Sequence, residues 1–170
     1  LSQNNCKCKR LVFSSTTKIK EDSGYGLSKL KAETVLAELT KSNTEIQISN
    51  FRFPGVFGKW SKPNYNSVVA TFSHNIIHNQ PIDIHDPNTI INLLYIDDAV
   101  DLVNQALKKN VLLNGKILCP DMKSSKMINI IKTWLKDYGG KYKIIKEREG
   151  DRLDEYLISD NEIEFTEAVK

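Results

Sequence analysis

Cysteine is scarce: three in 170 residues, too few for a disulfide framework. Cys6-Lys7-Cys8 has the wrong spacing for a CxxC redox or zinc pair, and Cys119 stands apart, so reduced thiols are expected. Long apolar runs are missing too. Nothing approaches the ~18 consecutive apolar residues of a membrane span, so no membrane partner is expected. Charge of one sign is also lacking: the net charge is +3, with lysine and glutamate mixed along most of the chain. No concentrated basic face is offered to a nucleic acid. His74 and His78 have the i, i+4 spacing of helical metal ligands, but Asn75 stands where HExxH requires glutamate, and no metal site is expected. What remains is an ordinary globular composition, 40% hydrophobic and 26% charged. The length suits one domain with a real core.

Hydrophobic patterning predicts strands alternating with helices. Arg10–Ser15 reads as a short buried strand, and residues 25–40 as a helix with Leu27, Leu30, Val35, Leu36 and Leu39 at helical spacing, preceded by Ser23 as N-cap. "IQISNFRF", residues 46–53, alternates as a second strand stopped by Pro54-Gly55. A polar, aromatic loop follows at 58–66, where Trp60 and Tyr65 either stack on a base or pack against the loop. Residues 67–79 read as a helix facing Val68, Val69, Phe72, Ile76 and Ile77 inward. Strands are expected at 81–86, 89–96, 115–119 and 141–146, and helices from Asp97 to Lys109 and from Ser125 to Tyr138. The alternation gives an α/β class with a largely parallel sheet. In such sheets functional sites gather at the carboxyl ends of strands.

"FSSTTKIKEDSGYGLSK", residues 13–29, lies just past the first strand. Tyr25 and Lys29 are four residues apart, so a helix puts them on one face. A phenol is a poor base at neutral pH, and a neighbouring ammonium favours its phenolate. With a hydroxyl from Ser15 or Thr16 to orient a substrate oxygen, the group can exchange a proton during carbonyl/alcohol interconversion. A solvated helical Tyr–Lys pair is the plain alternative.

Further stretches decide between them. "LVFSST" followed by "YGLSKLKAE", down to Glu33, together with "FRFPGVFG", "LLYIDDAVDLV" and "REGD" (148–151), resemble in order and spacing the extended short-chain dehydrogenase/reductase family of NAD(P)-dependent sugar-nucleotide epimerases, dehydratases and reductases. "FGKWSKPNYNSVVATF", residues 57–72, is similar to the reductase domain of CapF-type capsular polysaccharide enzymes. The resemblance implies a Rossmann-like parallel sheet, its C-terminal part, with a small substrate-binding α/β region. It also implies a nucleotide-sugar substrate, NAD or NADP as cofactor and a cytoplasmic setting, and it leaves a homodimer as one assembly to test.

By that resemblance Tyr25 is the catalytic acid/base, Lys29 supports it and holds the nicotinamide ribose, and Thr16, with Ser15 as rival, supplies the orienting hydroxyl. Ser14, Ser15, Phe53, Pro54 and Val56 would border the cofactor. Lys59, Asn66, Arg148 and Asp151 would face the substrate, whose two phosphates need cationic or amide donors.

The sequence departs from the family at three points. Gly55 stands where relatives place a substrate-holding asparagine. Thr17 and Lys18 replace the acidic neighbour that dehydratases need. The G-x-x-G-x-x-G turn that grips the cofactor pyrophosphate occurs nowhere; Gly24-Tyr-Gly26 lacks the third glycine. Residues 1–170 are therefore expected to form one domain, the C-terminal part of the fold without its glycine-rich half. The expected reaction is reduction of a 4-keto sugar on a UDP-deoxyhexose for surface polysaccharide biosynthesis. The alternatives are a UDP-sugar 4-epimerase or a catalytically inactive sugar-nucleotide-binding remnant.

Overall fold

The computed structural model describes residues 8–20, 24–42, 45–108 and 115–145. In chain order the elements are β1 (Arg10–Thr16), a 3-10 turn (Thr17–Lys20), α1 (Gly24–Ser42), β2 (Gln47–Phe53), β3 (Gly55–Phe57), α2 (Val68–Ile77), β4 (Ile82–Ile84), β5 (Ile90–Tyr95), α3 (Ile96–Lys108), β6 (Ile117–Leu118), β7 (Lys123–Lys126), α4 (Met127–Tyr138) and β8 (Tyr142–Ile144). They fall into two compact units. The first draws on Leu1–Phe53 and Asp101–Pro120, and the second on Pro54–Val100 and Asp121–Glu155. The sequence of α3 is shared between them.

In the first unit the sheet order is β1-β2-β6, all parallel. β1 and β2 pair along their full length, from Arg10 opposite Gln47 to Thr16 opposite Phe53. A parallel pair needs a crossover, and α1 provides it. Among the described residues, Ile19, Ile46, Ile48, Phe51 and Ala106 are the first unit's buried apolar side chains. Gly115 closes the approach to β6 with φ 76°, and its N–H donates to the Ile48 carbonyl at 3.1 Å. A Cβ there would come within 2.9 Å of the Thr40 side chain, so both backbone and space call for glycine.

The second unit is built around Phe72, Ile82, Ile84 and Ile131, with Val68, Ile76, Met127, Trp134 and Leu135 packed against them. Phe72 meets Trp134 edge to face, ring centroids 6.1 Å apart. β4 pairs in parallel with β8, and β5 lies between β3, parallel, and β7, antiparallel. Ser67 caps α2 by accepting the Ala70 N–H at 3.3 Å. α4 stops at Gly139, φ 72°.

The α/β class and the largely parallel pairing agree with the sequence reading. Four details correct it. Pro54 ends β2 as expected, but a short strand that was not foreseen, β3, starts at Gly55 and pairs with β5 in another sheet. Residues 123–126, polar throughout, form β7 by backbone pairing, so α4 begins two residues later than expected. Ile77, expected to face inward, is 75% exposed because α2 ends there. On α1 the buried positions are Gly26 and Glu33, whereas Leu27, Leu30 and Val35 lie largely exposed. Ser23, the expected N-cap, lies outside the described residues. No helix among the described residues is long and apolar enough to cross a membrane.

Candidate active site

The carboxyl end of β1 presents Ser14, Ser15 and Thr16 in succession, and side chains alternate between the two faces of the sheet. Ser15 is buried, and its hydroxyl donates to Glu33 Oε1 at 2.5 Å. Thr16 is buried as well; its Oγ1 accepts the Lys18 N–H at 3.1 Å. Ser14 contributes its carbonyl, which accepts a hydrogen bond from Lys29 Nζ at 2.8 Å. α1 carries Lys29 one turn beyond Tyr25. The ammonium nitrogen lies 5.0 Å from the Phe13 ring centroid and 5.7 Å from that of Tyr25. Tyr25 is 55% exposed, so its phenol is open to a ligand. Ser14, Ser15, Thr16, Tyr25, Lys29 and, opposite Thr16, Phe53 thus form one connected group in the first unit. Lys29 has three N–H donors, and one is committed to Ser14.

A second feature of this unit carried no assigned role in the sequence. Arg52, the penultimate residue of the buried strand β2, makes a two-pronged ion pair with Glu33: Nε to Oε1 at 3.1 Å and Nη2 to Oε2 at 2.8 Å, both side chains buried. Glu33 also receives the Ser15 hydroxyl, so one carboxylate ties β1, α1 and β2 together. The available signal was an arginine flanked by phenylalanines in a buried strand, which requires a carboxylate partner.

In the second unit, Pro54 is buried and Val56 half-buried opposite Leu94. A Cβ at Gly55 would sit 3.2 Å from the Asn92 carbonyl of the paired strand, which accounts locally for a glycine here. Lys59 and Asn66 are exposed in the loop before α2. Trp60, in the same loop, is 95% exposed with φ 61° and does not pack against it. Lys62 lies over the ring of Tyr65, 5.9 Å from its centroid.

Lys59 already has an anionic partner, Asp97 in the first turn of α3, at 2.9 Å. The hydrogen bond and charge of Asp97, with Tyr95 adding, raise the Lys59 ammonium above its ordinary range. A raised lysine value means that the pairing is fully present below the ordinary lysine pKa and fades only as pH climbs through the raised one. It is therefore constant across neutral pH, and an anion reaching this lysine would compete with Asp97. On the expectation that Lys59 faces the substrate's phosphates, Asp97→Asn should tighten UDP binding by up to about fivefold, the scale of an exposed ion pair, measured by calorimetric titration. Arg148 and Asp151 lie outside the described residues.

Residues 2–170 match the family described as "Polysaccharide biosynthesis protein". The chain belongs to that family. Within the polysaccharide biosynthesis family it is similar to the UDP-2-acetamido-2,6-beta-L-arabino-hexul-4-ose reductase of Pseudomonas aeruginosa, 46% identical over 98 residues, 58% of this chain and 26% of that protein. The crystal structure of the capsular polysaccharide assembling protein CapF from Staphylococcus aureus superposes with a TM-score of 0.66 at 32% identity, over 76% of this chain and 36% of CapF. The UDP-glucuronic acid 4-epimerase of Bacillus cereus, solved with UDP-glucuronic acid and NAD, gives a TM-score of 0.76 at 19% identity, over 98% of this chain and 59% of that one. That last likeness concerns the fold. The chain is thus an extended short-chain dehydrogenase/reductase related to CapF, spanning about a quarter of its curated relative and between a third and two-thirds of these solved structures.

Proposed function

We propose that this chain carries the acid/base centre of an NAD(P)-dependent reductase acting on the 4-keto group of a UDP-linked deoxyhexose in surface polysaccharide biosynthesis. The observation that carries the reading is the Lys29 ammonium, anchored to the Ser14 carbonyl beside the exposed Tyr25 phenol at the carboxyl end of β1. The P. aeruginosa relative, a reductase of a UDP-hexulose, supports the substrate class.

The nicotinamide-ribose end of the cofactor fits these residues: Lys29 keeps donors beyond the one given to Ser14, and Phe53 ends β2 opposite Thr16. The pyrophosphate end does not, since the sequence has no glycine-rich turn, and the reading assigns that half of the fold to sequence outside this chain. Bound NAD(P)H would supply the hydride to the sugar carbonyl carbon. The rest is done by protein groups. As the carbonyl π pair moves onto oxygen, Tyr25 Oη donates its proton there and is reprotonated from solvent. Lys29 stabilises the phenolate left behind. Of the two candidate hydroxyls, Ser15 Oγ is committed to Glu33, so the reading gives the orienting role to Thr16.

Two experiments test this. In the intact protein, supplying the UDP-4-keto sugar should consume NADPH in step with product, whereas a 4-epimerase would show no net consumption. The 170-residue chain by itself should bind NADPH more weakly than ordinary micromolar affinity in a fluorescence titration. Micromolar binding would contradict the assignment of the pyrophosphate site to sequence outside it.

A further inference from the structure

The position of α1 raises a physical problem. A helix normally fixes its rotation by burying an apolar stripe, yet Leu27, Leu30 and Val35 are 46%, 42% and 61% exposed. Leu36 and Leu39 are only half-buried, and beside the helix a pocket of about 270 Å³ is lined by Leu30, Glu33, Ile48, Asn50 and Arg52. Asn50 Oδ1, buried on that wall, has no hydrogen-bond partner among the described residues. The one side chain that α1 buries fully is polar, and it is held by the Ser15–Glu33–Arg52 network described above.

Its placement matters. Tyr25, Lys29 and Glu33 follow one another at four-residue intervals, so they form a single row along α1. Ser15 lies between Ser14, which holds Lys29, and Thr16. A rotation of α1 about its axis would move Tyr25 away from the Thr16 strand end and carry Lys29 off the Ser14 carbonyl. The two-pronged geometry resists that rotation at both oxygens.

We infer that Glu33, locked by Arg52 and Ser15, is a positioning residue that sets the rotational phase of the Tyr25–Lys29 edge against the Ser14–Thr16 strand end. The inference rests on the reductase reading and deepens it. A buried ion pair can be exchanged for apolar residues of similar volume without losing the fold, so phase-setting and stability can be separated.

The test uses the intact protein and two variants: the double variant Glu33→Leu/Arg52→Met, and Arg52→Lys, which keeps the charge but loses the fork. Both are assayed for NADPH-dependent reduction beside Tyr25→Phe, with thermal melting as the check on folding. The double variant should melt near the parent temperature while kcat falls by about 10–100-fold, the scale of a misplaced catalytic group. KM for the sugar nucleotide should change less than about twofold, marking loss in the transition state alone. Arg52→Lys should show the same split with a smaller fall, and it carries the test if the double variant does not fold. A folded variant with kcat within about twofold of the parent, or one altered only in KM, overturns the inference. If Tyr25→Phe retains parental activity, it is the reductase reading that fails.

Discussion

Tyr25→Phe is expected to slow carbonyl reduction by about 10²–10⁴-fold, the usual contribution of a positioned general acid. The substitution removes one oxygen from a ring that is 55% exposed, so stability should stay within about 0.5 kcal/mol of the parent. Lys29 keeps its hydrogen bond to the Ser14 carbonyl, because that contact does not involve the phenol. Binding of the sugar nucleotide should be unchanged, since its phosphates are assigned to other side chains. The measurement is steady-state NADPH oxidation with the UDP-4-keto sugar, together with a thermal melt. Loss of kcat at constant KM and constant melting temperature places the proton on Tyr25.

Arg52→Met is expected to cost about 3–5 kcal/mol of stability, the largest single effect on folding foreseen in the first unit. The substitution leaves the Glu33 carboxylate buried with the Ser15 hydroxyl but without the guanidinium. An uncompensated buried charge is far more costly than the absent pair. Removing both charges, in Glu33→Leu/Arg52→Met, should therefore recover most of the loss. Urea unfolding of the parent, Glu33→Leu, Arg52→Met and the double variant forms the cycle that measures this coupling.

The strand end and the helix start that carry the candidate site were legible in the sequence for local reasons. A strand ending in Ser-Ser-Thr and a helix starting with Tyr-x-x-x-Lys each carry their geometry within a few residues, and β1, α1 and β2 lie close to their expected bounds. What escaped reading depends on distant partners. β7 is the polar run Lys123-Ser-Ser-Lys126, a strand only because β5 pairs with it. β3 hides behind Pro54-Gly55, which reads locally as a stop. The leucines of α1 suggest an apolar seam, but the seam is polar, and its central residue is Glu33. Lys59 reads as an open phosphate donor until the fold brings Asp97, distant in sequence, to 2.9 Å.

The central claim is net hydride delivery to the sugar, completed by a proton from Tyr25. The most direct measurement supplies the intact protein with NADPH deuterated at the transferable position and a UDP-4-keto deoxyhexose, then analyses the released sugar nucleotide by mass spectrometry and NMR. The account predicts a single deuterium at C4, oxidised cofactor in equal amount, and both products from Tyr25→Phe at no more than about a hundredth of the parent rate. A released sugar without deuterium and with no cofactor consumed, or full labelling by Tyr25→Phe at the parent rate, would contradict it.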